Sequence, residues 1–171
     1  MDTWDAITSR RNVREFADRP IEEADLDRIL EAGRRAPSSR NWQPWDFIVV
    51  TDRQQLGELA EVWQGGAHVA TSAATVALVL PELEEARRRE TARYDLGQAT
   101  MAMMIAAADL GIGSGHSSVG DQARARRVLG LPEDRFAAYL VDFGYPAGGP
   151  LRPLRRPNRR PFEEVVHRGR W

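Results

Sequence analysis

The chain contains neither cysteine nor lysine among its 171 residues. Without cysteine there can be no disulfide, no thiolate nucleophile and no iron–sulfur cluster. Without lysine, Schiff-base catalysis and phosphate transfer by a P-loop are excluded, because both need that side chain. All 24 basic residues are therefore arginine, and guanidinium groups suit planar or phosphate-bearing partners.

A charge excess and a long apolar run are also missing. The formal net charge is -1, which argues against a general binder of nucleic acid or of a membrane surface. The longest apolar run, residues 101–108, is far too short to span a bilayer, and the acidic, polar start of the chain does not resemble a signal peptide. We therefore expect a cytoplasmic protein with no nucleic-acid or membrane partner.

Histidine is scarce, and its spacing indicates no metal site. His68, His116 and His167 lie far apart in the sequence, with no HExxH pattern. Glu163 lies one helical turn before His167, but two ligands do not make a metal site. Ser114 lies two residues before His116, a spacing that does not indicate a nucleophile and its base. We expect no metal and no hydrolase chemistry.

Hydrophobic periodicity predicts a single α+β domain spanning residues 1–171. Strands are predicted at 45–51, 72–81 and 136–146, the second of them buried on both faces. The first predicted helix starts at Asp2 or Thr3 and has Trp4, Ala6 and Ile7 on one side. The predicted helix over 52–63 has Trp63 among its inward residues. The other predicted helices run from about Glu22 to Arg35, from about Tyr94 to Leu110 as a central core helix, and from near Asp121 to a stop at Gly130.

Two further patterns leave more than one interpretation open. Gly111, Gly113 and Gly115 follow a helix rather than a strand, so they do not form a dinucleotide-binding fingerprint. They favour either a loop that approaches a ligand closely or an ordinary loop that ends the helix. Arginines cluster at residues 10–14 and again at 152–160, which suits a phosphate-bearing ligand, although charged clusters are also common on solvated surfaces.

Five segments together resemble the nitroreductase family of FMN-dependent oxidoreductases: "SRRNVREF", "APSSRNWQPWDFIVV", "YDLGQATMAMMIAAADLGIGSG", "LGLPED" and "RRPFEEVVHRGRW". They occur in the order and spacing of that family and cover nearly the whole chain. The resemblance implies a nitroreductase-like fold, in which helices flank a central, mainly antiparallel sheet. It also implies an intertwined homodimer, with FMN tightly bound in two interface pockets and a C-terminal tail, about 147–171, that extends over the partner subunit.

The resemblance also assigns roles to individual residues. Arg10, Arg11, Asn12 and Arg14 are expected to contact the FMN phosphate, ribityl chain and pyrimidine, and Arg159 and Arg160 to return to the phosphate. Ser117 and Ser118 are expected to lie along the isoalloxazine, with a backbone N–H near N5. No side chain is expected to act as acid or base, although Arg14 could stabilise reduced flavin electrostatically. The partner subunit is expected to contribute Pro37, Ser38, Ser39 and Asn41.

The implied activity is ping-pong hydride transfer from NAD(P)H to nitro compounds, quinones or similar acceptors. The alternatives are a specialised member, such as an enone reductase or a reductive dehalogenase, a flavin-binding storage or sensing protein with little turnover, and a dimeric helical protein whose arginines are only solvated charge. Ser117 and Ser118 stand where the family often has an apolar residue and a glycine. The short connection from Pro81 to Arg93 predicts an open active site, with substrate choice falling to His116, Trp42 and Trp63.

Overall fold

A computed structural model describes residues 1–171 and confirms the α+β class. Four antiparallel strands form one sheet in the order β1-β2-β4-β3, and five helices flank it. The strands are β1 (Asp46–Val50), β2 (Ala74–Pro81), β3 (Gly113–Ser118) and β4 (Arg135–Gly144), and the helices are α1 (Thr3–Ser9), α2 (Glu23–Arg34), α3 (Arg53–Ala60), α4 (Ala86–Asp109) and α5 (Gln122–Leu129).

Short polar side chains fix where three of the helices begin. Asp2, Asp52 and Asp121 each precede a helix and accept a backbone N–H from its first turn, which satisfies one of the otherwise unpaired donors there. Gly130 ends α5 in the left-handed conformation, with φ of 65°, as expected for a glycine just after a helix. The predicted start of the first helix and the predicted stop at Gly130 are therefore confirmed.

The sheet separates two apolar layers. On one face, alternate residues of β2 such as Val76 and Leu78 pack with α2 and α4 in a cluster of 15 buried residues. On the other face, Ala77 and Val79 pack with α3 and α5 in a cluster of 11 buried residues. The prediction that this strand is buried on both faces is confirmed, and the sheet is thus a rigid support for whatever lies at its edges.

The predicted start of the long helix was wrong. Helix α4 begins at Ala86 rather than near Tyr94, so the charged segment that was predicted as a connection forms its first two turns. Those turns are mostly exposed and carry no apolar stripe, which is why periodicity does not reveal them. The helix is also not buried all round, because the side chain of Met101 is 45% exposed. The connection between β2 and α4 is therefore only four residues long, 82–85.

The segment after α4 was predicted as a loop and is strand β3, which pairs with β4 from Gly113 to Ser118. Its glycines are required by close packing within the chain. A Cβ atom on Gly115 would lie 2.6 Å from the carbonyl oxygen of Val13, and one on Gly113 would lie 2.6 Å from that valine's Cγ2. The neighbour that these glycines admit is therefore the segment after α1 rather than a ligand.

Several large apolar side chains remain exposed, against expectation. Trp4 is 71% exposed and Ile7 is 43% exposed, while Ala6 is buried. Trp63 is 38% exposed rather than inward, because α3 ends at Ala60 and the chain turns before it. From Arg152 to the C-terminus every residue is exposed. No helix has both the length and the apolar composition needed to cross a membrane.

Candidate functional site

An arginine-rich cavity of about 750 Å³ lies between α4, the sheet and the segment after α1. Four arginines line it, and no acidic side chain does: Arg10, Arg11, Arg93 and Arg159. Its apolar lining comes from the sheet and α4 and includes Leu78, Leu96, Met104 and Val141. We call it the arginine cavity. Guanidinium groups beside an apolar wall can bind a ligand that has both an anionic group and a flat apolar part.

Backbone hydrogen bonds bring the distant arginines to this cavity. The N–H of Val13 donates to the carbonyl of Ser114 over 2.9 Å, which fixes residues 10–12 beside the start of β3. The N–H of Leu154 donates to the carbonyl of Thr8 over 3.1 Å, so the exposed tail returns to α1. Because both contacts involve the backbone, they place the arginine clusters together without using their side chains.

A second cavity, of about 460 Å³, lies on another face of α4. Pro37, Ser38 and Ser39 form one side of it, and five residues of α4, among them the acidic Glu90 and Asp95, form the other. We call it the loop cavity. It has no arginine in its lining, so its charge is opposite to that of the arginine cavity.

The residues predicted to bind one cofactor are therefore divided within one chain. Arg10, Arg11, Asn12 and Arg159 line the arginine cavity, whereas Pro37, Ser38 and Ser39 line the loop cavity. The structure brings neither Arg14 nor Arg160 to the lining of these cavities. Arg14 is exposed, and Arg160 instead contacts Glu164 over 3.4 Å. Asn41 is also outside both, and its side chain accepts a hydrogen bond from Gln43 over 3.0 Å.

Ser117 and Ser118 point to opposite faces of β3, as successive residues of a strand do. Ser118 is exposed, on the same face of the strand as His116, which lines the arginine cavity. Ser117 is only 4% exposed, and its hydroxyl lies 3.1 Å from Nε2 of His68. The two serines that depart from the family pattern thus have different environments.

Behind Ser117 lies a buried polar network that joins three strands. Nε2 of His68 is 2.9 Å from Oδ2 of Asp142, a carboxylate with no solvent exposure. The other oxygen of Asp142 accepts from the hydroxyl of Thr75 over 3.2 Å, and Thr75 contacts Ser72 over 3.0 Å. Ser117 and Asp142 both face Nε2, so the geometry differs from a catalytic triad, in which the acid and the nucleophile face different ring nitrogens.

The three aromatic residues that were expected to determine substrate choice lie in different parts of the structure. His116 lines the arginine cavity. The ring of Trp42 lies under the guanidinium of Arg88, with 4.8 Å from Cζ to the ring centroid. Trp63 packs instead against Gly120, where an added Cβ would come within 3.0 Å of the indole. Only His116 is thus placed to contact a ligand in the arginine cavity.

Sequence patterns missed Arg93, His68, Asp142 and Asp95. Arg93 was hidden in the segment predicted as a charged connection. Asp95 lay at the end of the same charged segment. Asp142 carried a usable signal, because it is an acidic residue within the apolar strand predicted at 136–146, where a carboxylate needs hydrogen-bond donors. His68 had no such signal, because its partner Asp142 is 74 positions away along the chain.

Comparison with known proteins identifies the family. The model of the nitroreductase family matches residues 7–79 and 61–145, and the chain belongs to this family. A relative from Archaeoglobus fulgidus, provisionally named NADH dehydrogenase/NAD(P)H nitroreductase, is 34% identical over 96% of both chains. The NADH dehydrogenase of Thermus thermophilus is 31% identical, over 97% of this chain and 95% of its own.

A solved structure shows the same fold. The FMN-dependent nitroreductase of Clostridium difficile superposes with a TM-score of 0.84 at 21% identity, over 97% of this chain and 98% of its own. The nitroreductase-like fold expected from the sequence is therefore confirmed.

Proposed function

We propose that the protein is an FMN-dependent NAD(P)H oxidoreductase that reduces nitro compounds, quinones or similar acceptors. The observation that carries this proposal is the arginine cavity, in a member of the nitroreductase family. A more distant relative, the FMN reductase [NAD(P)H] of Bacillus subtilis, is 25% identical over 95% of this chain and 71% of its own. Its name supports FMN as the cofactor and NAD(P)H as the electron donor.

The residues of the arginine cavity fit FMN chemically. Arg10, Arg11 and Arg159 offer charge-assisted hydrogen bonds to a phosphate, and no carboxylate in the lining opposes them. Asn12 adds an amide that can pair with the ribityl chain or the pyrimidine. The apolar residues of α4 and the sheet suit the flat ring system. We propose that Ser117 and Ser118 present the backbone of β3 to the ring, and that Arg14 and Arg160 reach the cofactor in the assembled protein.

The protein's own role is binding and orientation. When bound, FMN supplies hydride transfer between a nicotinamide and an acceptor. The arginines hold its anionic end, and β3 and α4 exclude water from the apolar end. The lining offers His116 and Tyr139 beside the apolar wall, where they can orient an acceptor. None of these side chains has to exchange a proton with the substrate for the hydride to move.

We also propose a homodimer whose cofactor site takes the arginine cavity from one protomer and the loop cavity from its partner. Large apolar side chains on the exposed surface support this proposal. Trp4 and Tyr94 on the helices are 71% and 73% exposed, and Phe162 and Trp171 in the tail are 67% and 98% exposed. A tail over the partner would cover the last two.

The deciding experiment is to purify the protein and measure its absorbance. We expect a yellow protein whose released chromophore is FMN, and anaerobic addition of NADH or NADPH should bleach it. Nitro compounds and quinones should then restore the colour. A colourless protein that takes up no added FMN would refute the proposal. Yellow protein that no nicotinamide bleaches would instead support a storage or sensing role.

A further inference from the structure

The loop from Pro37 to Gln43, which forms one side of the loop cavity, has an unfavourable backbone. Three of its residues, none of them glycine, have positive φ: Arg40 at 52°, Asn41 at 57° and Gln43 at 51°. L-residues rarely adopt this left-handed conformation, because Cβ crowds the backbone. Such strain persists only where surrounding contacts hold it, and it clusters at functional sites.

Most hydrogen bonds of this loop stay inside it. The N–H of Gln43 donates to the hydroxyl of Ser38 over 2.9 Å, and the side chain of Gln43 donates to Asn41. Two backbone bonds, from Asn41 to Ser38 and from Trp42 to Ser39, also begin and end in the loop. These contacts shape the turn but do not fix its position on the protein.

Trp42 packs under Arg88 of α4, but a single hydrogen bond joins the loop to another element. The N–H of Ser39 donates to Oδ2 of Asp95 in α4 over 2.9 Å. Asp95 is 2% exposed, and its other oxygen accepts only a longer bond, 3.4 Å from the side chain of Gln98. No arginine lies within ion-pair distance of it.

Asp95 is therefore a poor choice for stability alone. Burying a carboxylate without a cation is costly, and two donors compensate only part of that cost. An apolar residue at this position of α4 would avoid it, since the N–H of Ser39 lies beside an open cavity and could bind water. What the carboxylate does provide is a strong, directional acceptor for one N–H of the loop.

We propose that Asp95 is a positioning residue, which fixes the Pro37–Gln43 loop as a wall of the partner's FMN site by accepting the Ser39 N–H. The inference rests on the proposed function, because it presumes that FMN binds against this loop. Although Asp95 belongs to the lining of the loop cavity, it is only 2% exposed, so its proposed action on the cofactor is through the loop. It predicts that the hydrogen bond, rather than the negative charge, is what matters.

The test is the dissociation constant of FMN, measured by titrating apoprotein into FMN and following the flavin fluorescence. Asp95→Ala should weaken binding at least tenfold. Asp95→Asn keeps an oxygen that can accept from Ser39, so its affinity should stay within threefold of the wild type. Asp109→Ala is the matched control, because Asp109 is an acidic residue at the C-terminal end of α4 that contacts Arg28 and the N-terminal amine and lines neither cavity. It should bind FMN like the wild type.

A second pair of variants changes the donor instead and serves if Asp95→Ala does not fold. Ser39→Pro replaces the N–H with a ring carbon that faces Asp95, so it breaks the hydrogen bond. Ser38 is extended, with φ of -142° and ψ of 155°, as the residue before a proline prefers, and Ser39 opens a short 3₁₀ helix. Ser39→Ala removes only the hydroxyl. Ser39→Pro should weaken FMN binding at least tenfold relative to Ser39→Ala. The double variant Ser39→Pro/Asp95→Asn should have nearly the same FMN dissociation constant as Ser39→Pro alone.

The outcomes separate the two proposals. If wild-type protein binds no FMN, the proposed function fails. If the wild type binds FMN and both Asp95→Ala and Ser39→Pro bind equally well, only the positioning role fails. The positioning role would also be overturned if Asp95→Ala and Asp95→Asn lost FMN affinity equally while the melting temperature and dimer content stayed unchanged. That result would assign the effect to the negative charge rather than to the hydrogen bond.

Discussion

The two cavities on α4 differ in charge and in how their walls are supported. The arginine cavity has four arginines and no acidic lining residue, while the loop cavity has two carboxylates and no arginine. Strand β3, beside the first, is backed by the buried network of His68, Asp142 and their neighbours. The loop beside the second has one hydrogen bond to another element, to Asp95, and Trp42 packs against Arg88 of α4 and the core.

Because the two walls are supported differently, substitutions behind them should affect different properties of the protein, stability in one case and FMN binding in the other. A wall backed by several buried polar groups cannot lose one of them without leaving another unpaired, so damage there lowers the stability of the whole fold. A loop held by one hydrogen bond and by the packing of one side chain, Trp42, can detach while the core remains intact. We therefore expect changes behind β3 to act on unfolding, and changes at the arginines or the loop to act on FMN binding.

The largest effect on stability is expected from His68→Leu. The substitution removes His68, whose Nε2 is the group nearest Oδ2 of Asp142, an oxygen with no hydrogen-bond donor of its own, and leaving that buried oxygen among apolar atoms costs about 3 kcal/mol. The melting temperature should fall by roughly 6–12 °C for a chain of this size. His68→Gln keeps a side-chain N–H, so its melting temperature should fall by about half as much. An unchanged melting temperature for both variants would contradict the proposed importance of the network.

The largest effect on binding is expected when the two cavities are damaged separately. Arg10→Ala removes a charge-assisted contact worth about 1.5–3 kcal/mol, so FMN affinity should fall at least about tenfold. Ser39→Trp places an indole at an exposed position of the loop cavity. The indole should prevent FMN from packing against the loop and lower FMN affinity by a similar factor. Each homodimer should then lose most of its FMN at low micromolar concentration.

Mixing these two variants tests whether one site combines both cavities. In an intertwined homodimer, each heterodimer would have one site with both substitutions and one with neither. Random pairing makes half of the dimers mixed, so about one quarter of all sites should recover full affinity. The two chains can be unfolded and refolded together, with each variant refolded alone as the control. If no tight-binding fraction appears in the mixture, the two walls do not come from different chains.

A smaller effect is expected within the tail, where two adjacent arginines differ. Arg159 lines the arginine cavity, whereas Arg160 contacts Glu164 at the surface. Arg159→Ala should raise the FMN dissociation constant about tenfold. The arrangement in the single chain, in which Arg160 pairs with Glu164 at the surface, predicts a change within about twofold for Arg160→Ala, because an exposed ion pair contributes little. Our proposal that Arg160 reaches the cofactor in the dimer predicts a loss like that of Arg159→Ala. Equal losses in the two variants would show that Arg160 moves to the cofactor in the assembled dimer, as the family resemblance implies.

Much of the fold could be predicted from the sequence because its signals are local. Aspartates before helices, Gly130 after α5 and the apolar run of β2 each act on neighbouring residues, and all three are confirmed. Strand β3 could not be predicted, because its glycines and serines suit a strand only when Val13 and β4 pack against it. The start of α4 was missed for a related reason, since exposed turns carry no apolar periodicity.

The candidate site was predictable in part. The resemblance to the family named some of the residues that line each cavity, such as Arg10 and Ser38. Nothing in the sequence shows that Ser117 points inward and Ser118 outward until β3 is known to be a strand. The buried network was out of reach, because His68 and Asp142 are brought together only by the tertiary fold. Asp95 was also out of reach, because it ends the charged segment 82–95, and its burial is visible only once that segment is known to be part of α4.

The smallest effect is expected on the two faces of β3. Ser117→Ala removes a hydroxyl that contacts His68 over 3.1 Å, which should lower the free energy of unfolding by about 1 kcal/mol and the melting temperature by roughly 2–4 °C. The loss is smaller than for His68→Leu because His68 still faces Asp142 afterwards. Ser118→Ala changes an exposed side chain, so its free energy of unfolding should stay within about 0.5 kcal/mol of the wild-type value.

These serine variants also decide which face of β3 meets the cofactor. If the exposed face does, Ser118→Ala should change FMN affinity while leaving stability alone, and Ser117→Ala should do the reverse. Thermal unfolding of the apoprotein and FMN titration of the same samples would measure both quantities. Should Ser117→Ala weaken FMN binding more than Ser118→Ala at an unchanged melting temperature, the separation between a binding face and a supporting face would be wrong. The buried hydroxyl would then act on the flavin through the backbone of β3, as Asp95 is proposed to act through its loop.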